Sequence, residues 1–112
     1  MGLVSLLSRW SLRSKARSGL RKLPAGRRRV VREIAADAFR ECRDESEVPL
    51  YAERRASAVR FSGASNEPTR FGFAEILLVI QIVVAIYKLL KAIGVLREEA
   101  TESRVAREVG DV

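Results

Sequence analysis

Apolar residues recur at helical intervals in several stretches of this chain. Leu3, Leu6, Leu7 and Trp10 stand at i, i+3, i+4 and i+7, which places them on one face of a helix within Met1 to Leu23. Arg9, Arg13 and Arg17 fall on the other side, and Ser5, Ser8, Ser11, Ser14 and Ser18 fill the gaps. Pro24-Ala25-Gly26 interrupts the pattern. It resumes over Arg27 to Arg43, with Val31, Ile34, Ala35, Ala38 and Cys42 on one face, so Cys42 reads as a small buried residue. Arg43 to Glu47 is a charged turn. Pro49, tolerated in a first helical turn, then opens a short helix running to about Phe61. Leu50, Tyr51, Ala52, Ala56, Ala58 and Val59 form no clean stripe there. Residues 62–70, rich in Ser, Gly, Asn and Pro, read as a linker.

The strongest pattern is Phe71 to Leu96, where Glu75, Gln81, Lys88 and Lys91 are the only strongly polar residues. A membrane-spanning helix needs about 20 predominantly apolar residues. The window Phe71–Leu90 meets that length and sets Glu75 and Lys88 toward opposite ends, where Lys88 snorkels to the headgroups and Glu75 reaches water or takes up a proton. Its Phe, Ile, Leu and Val residues favour insertion by roughly 4 to 8 kcal/mol as an upper bound. The uninterrupted stretch between Glu75 and Lys88 is only twelve residues. That is also the length of an interfacial segment or a buried core helix, so both alternatives stay open. Residues 97–112 follow as a mixed-charge helix in which Arg97, Thr101 and Arg104 face Glu98, Glu102 and Glu108 at near-neighbour spacings.

The expected fold is therefore all-α. A basic amphipathic arm (1–26) and a polar helical segment (27–61) precede the linker (62–70). One long apolar helix (71–96), read as membrane-spanning, then carries a charged tail (97–112).

Charge sharpens this division. The chain has 112 residues and a net charge of +7. Residues 1–32 hold ten basic residues and no Asp or Glu, so the whole basic excess lies in the arm and the start of the segment after it. An Arg-rich, Ser-rich, acid-free amphipathic N-terminus fits an organellar import signal or a helix lying in a membrane surface. It lacks the apolar stretch of a secretory signal, and Leu6 occupies the position where a myristoylation motif needs Ser or Thr. The basic balance leans the N-terminal end toward the cytoplasmic or matrix side. Arginines number seventeen against four lysines. Bidentate phosphate binding and a bias toward Arg codons both account for that ratio.

Candidate chemistry is sparse. There is no His and a single Cys, which removes His-based acid–base catalysis, a Cys/His zinc site and a disulfide framework. No phosphate-binding Gly-rich loop occurs. The chain reads as non-enzymatic and without cofactors. Two sets remain. Trp10 with Arg27, Arg28 and Arg29 forms a candidate membrane or anion contact. Gln81, Lys88 and Lys91 lie on or near one face of the apolar helix, a candidate helix-association or pore face. The layout is similar to that of small organellar membrane subunits and of small virus-encoded membrane proteins, without a shared motif. It implies a single-span membrane protein in the mitochondrial inner membrane or a virus-modified host membrane. Its partners would be the bilayer and either copies of itself or a larger membrane complex. The alternative is a soluble or virion-internal helical assembly protein whose arm binds nucleic acid.

Overall fold

A computed structural model describes residues 2–62 and 69–110, with side chains from residue 7 onward. The core of the expected linker, residues 63–68, lies outside the described residues, as do the side chains of Leu3 and Leu6. Every regular element among the described residues is helical: α1 (Gly2–Arg21), α2 (Ala25–Glu41), α3 (Val48–Ala58), α4 (Phe73–Ile93) and α5 (Glu102–Val109). Short 3-10 turns at Glu45–Glu47 and Arg97–Glu99 introduce α3 and α5.

Successive helices alternate in direction. Arg9 near the start of α1 donates to the Ala92 carbonyl at the end of α4, so α1 and α4 are antiparallel. Arg27 bonds Glu75 near the start of α4, while Tyr87 Oη donates to the Cys42 carbonyl just past α2, so α2 and α4 run parallel. The up-down-up-down order follows from the short connections at Leu23–Pro24 and Cys42–Asp44, which leave room only for antiparallel neighbours. Helix α4 is central and packs against α1, α2 and α3. Helix α5 lies against α2 and α1.

The core follows from side-chain periodicity. Val31, Ile34, Ala35, Ala38 and Cys42 are all buried, as their shared face predicts, joined by Phe39. In α3 the buried residues are Val48, Ala52 and Ala56, a clean i, i+4, i+8 stripe of modest side chains, while Leu50 is exposed. The expected lack of a stripe there is corrected: the stripe is built mainly of alanine. In α1 the buried residues are Ala16 and Leu20, followed by Leu23 in the turn, and Leu7 and Trp10 are exposed. The arm thus packs on α4 through its C-terminal half. Gly19 lets the two backbones approach: a Cβ there would stand 2.5 Å from Ile82 Cγ1. Val79, Ile82, Val83, Ala85, Ile86, Tyr87, Leu89 and Leu90 form the buried side of α4. Gly94 (φ 81°) ends α4, with Val95 N–H bonding back to the Leu90 carbonyl, a left-handed cap that favours glycine.

The tail is also packed. Ala100, Val105 and Val109 are buried, and Thr101 caps α5 by accepting a bond from Arg104 N–H at 3.2 Å. Arg104 reaches Glu108 at 3.4 Å as its spacing predicts. Arg97 instead turns away from its neighbours and bonds the carbonyls of Phe39, Cys42 and Arg43.

Candidate functional site

The arginines divide by destination. A helix leaves its last four carbonyls without intrahelical partners, and several arginines of this chain supply them. Arg28 Nε bonds the carbonyls of Leu20 and Leu23 at 2.9 and 2.8 Å, closing α1. Arg97 closes α2 in the same way. Arg13 bonds both the Glu108 carbonyl, at the end of α5, and the Glu108 carboxylate at 3.0 Å. Arg29 stands 3.5 Å from Glu33 and 3.7 Å from Glu102, and buried Arg32 reaches Glu102 at 2.7 Å. Arg27 bonds Glu75 at 2.9 Å with its guanidinium 4.5 Å above the Phe61 ring. Arg27 and Arg28 therefore serve the inside of the fold, Arg29 stays 71% exposed beside Glu33, and Glu75 is held by a cation. Arginine's planar fork suits each of these tasks better than a lysine ammonium does.

What remains open is the face that α1 and α4 share. On α1 the exposed residues from Leu7 onward are Leu7, Ser8, Trp10, Ser11, Ser14, Lys15, Ser18 and Arg21, followed by Lys22 in the turn, and none is acidic. Trp10 is 67% exposed. Lys15 and Lys22 have no acidic partner among the described residues. On α4 the open side carries Phe73 (81% exposed) and Leu77 (48%), then half-buried Ile80 and Val84, with Gln81 and Lys88 exposed beside them. Between the helices runs a groove of about 420 Å³. Its apolar walls include Leu12, Leu78, Ile80 and Val84, and its polar lining is Lys15, Ser18, Lys22, Gln81 and Lys88. Across α1 a second depression of about 440 Å³ is lined by Trp10, Arg13, Ser14, Arg17, Ser18 and Arg21. No carboxylate lines either one. Glu45, 3.7 Å from Lys88, is the acidic group at the first rim.

The residues expected to act thus separate. Trp10 lies on the open basic face, whereas Arg27, Arg28 and Arg29 do not join it. Gln81 and Lys88 share the open side of α4, and Lys91 is exposed one turn further on. Sequence reading missed Lys15 and Lys22, although they were legible as bases one side of an acid-free helix away from Trp10.

Among the described residues no group of three His, Cys, Asp or Glu side chains could hold a metal ion. Cys42 is buried, and its thiol is pushed up by burial, with Glu47 and Glu41 adding to the effect. Native protein is expected to react with a maleimide at least about tenfold more slowly than protein in guanidinium; timed thiol labelling in both conditions checks this. No known protein family, characterised protein or solved structure matches this chain.

Proposed function

We propose that this protein is a non-enzymatic helical protein that attaches to an anionic membrane surface through the α1–α4 face. The observation that carries the reading is the apolar side of α4 left open beside the acid-free face of α1. Apolar residues enter the acyl boundary while basic residues meet the headgroups, the arrangement of an interfacial helix. Each lysine near an anionic surface adds about 1 kcal/mol. Both settings suggested by the layout, a mitochondrial inner membrane and a virus-modified host membrane, supply such headgroups.

Helix α4 is long and apolar enough to cross a membrane. Its 21 residues cover about 31 Å at helical rise, close to the roughly 30 Å hydrocarbon core. In the packed bundle, however, α1 lies alongside it with Lys15, Arg21 and Lys22 on the outside. A crossing α4 would carry these into the hydrocarbon at roughly 2.5 to 3.5 kcal/mol each for any near the midplane. Surface attachment keeps the fold intact, and crossing requires α1 to leave α4. Nucleic-acid binding by the arm has less support, because Arg27 and Arg28 bond within the fold.

The expected result is co-sedimentation with vesicles containing phosphatidylglycerol, not with pure phosphatidylcholine, and release by alkaline carbonate. Changing Phe73 and Leu77 together to Ser is expected to weaken sedimentation by about tenfold or more, from the apolar area withdrawn from the bilayer. Carbonate-resistant sedimentation would replace surface attachment by a true span. Absence of sedimentation with both vesicle types would end the membrane reading.

A further inference from the structure

The open face has more structure than surface attachment requires. A bilayer needs only a basic, apolar surface, whereas α1 and α4 enclose a groove between them. Its volume of about 420 Å³ lies within the usual range for small-molecule sites of about 300–1,000 Å³. From Leu78 to Lys88 it follows about 15 Å of helix axis. Its apolar lining includes Leu12, Leu78, Ile80 and Val84. Gly19 sets its width, since the missing side chain draws α1 onto Ile82. Its cations stand at the rim: Lys22 on the Leu78 side, with Lys15 and Lys88 further along.

We propose that this groove takes the acyl chain of a single anionic lipid, whose phosphate or carboxylate head is held by Lys15 and Lys22. The inference rests on the membrane-surface reading and names the ligand of that face. Charge decides the occupant. A second copy of α4 laid on the same stripe would bring Lys88 toward a lysine-rimmed groove without a carboxylate in its lining. An acidic amphiphile instead matches both features: its chain removes apolar wall from water, and its head finds two lysines that have no acidic partner among the described residues. Lysine suits such a head, because its flexible stem follows a single anionic group over the rim.

The test uses the full chain in solution without vesicles. Lysophosphatidylglycerol and lysophosphatidylcholine of equal chain length are titrated below their micelle concentrations, and binding is followed by native mass spectrometry and calorimetry. One equivalent of the anionic lipid is expected to bind. Lys15→Glu with Lys22→Glu is expected to weaken it by about tenfold or more, since two attractive charges become repulsive. Val84→Trp is expected to block the groove; Val84 is half-buried at its edge, so circular dichroism should keep the helical signal of the parent. Equal binding of both lipids, or unchanged binding in a folded Val84→Trp variant, overturns the proposal. Vesicle sedimentation of the same variants separates the two readings. Sedimentation without binding of the single lipid removes the groove inference and leaves surface attachment standing. Loss of both in the parent chain removes both.

Discussion

Tyr87→Ala is expected to lower the free energy of unfolding by about 3–5 kcal/mol, the range for removing a large buried aromatic ring. Tyr87 is 1% exposed, between α4 and the end of α2. Its ring stands edge-on to Phe39 at 5.4 Å, and its hydroxyl donates to the Cys42 carbonyl at 2.9 Å. Alanine would leave a cavity that α2 and α4 cannot fully close, because Arg27–Glu75 ties their starts and Arg97 holds the end of α2. Tyr87→Phe keeps the ring and loses only the hydrogen bond, at about 1 kcal/mol. Domains of this size are stable by about 5–15 kcal/mol, so the alanine variant stands near the threshold of folding. Urea denaturation followed by circular dichroism measures both. A change below about 1 kcal/mol for Tyr87→Ala, within the range of surface substitutions, would mean that α4 is not the core helix in solution. The case for a free membrane-crossing helix would then strengthen.

Glu102→Ala is expected to cost about 2 kcal/mol, within the range for losing a hydrogen bond between charged groups. The Arg32 side chain is 6% exposed and meets Glu102 at 2.7 Å, with Arg29 on the other carboxylate oxygen at 3.7 Å. Removing the carboxylate takes from the buried Arg32 guanidinium its acceptor at 2.7 Å. Helix α5 then loses its main polar tie to α2 and keeps only Val105 and Val109 as buried anchors. The loss is expected to change little with added salt, since buried pairs are poorly screened. Arg32→Met in the same chain is expected to recover part of it, and the double-mutant cycle reports the coupling. Hydrogen exchange should show α5 amides exposed in Glu102→Ala while α4 amides stay protected. Uniform loss of protection would assign the ion pair to the whole bundle rather than to the docking of α5.

Some of this architecture was readable from spacing. The buried face of α2 was, because Val31, Ile34, Ala35 and Ala38 alternate with charged residues at helical period. The stripe of α3 was obscured by its composition. Ala52 and Ala56 contribute little hydrophobic contrast, whereas exposed Leu50 contributes much, so the period is masked although the packing is regular. The packing of the tail was hidden for a related reason: Val105 and Val109 are the only large apolar residues of an eight-residue helix, and their burial depends on α2 and α1 being there to receive them. The arm's charge was counted correctly, but its use was not visible. A guanidinium goes to whichever carbonyl or carboxylate the fold brings near, and for Arg13 that partner is 95 residues away.

The amino-acid sequence by itself determined an all-helical chain, its break at Pro24, and a single apolar helix long enough to cross a membrane. Local backbone preference and spacing suffice for each of those. Only the tertiary structure decided which side of α4 is core and which is open. A helix that is apolar nearly all round carries no contrast from which to read a direction, so the packing of α1, α2 and α3 supplies it. The same packing turned the basic arm from a free charged segment into a wall of the bundle, and left Lys15, Lys22 and Trp10 as the part of it that faces outward.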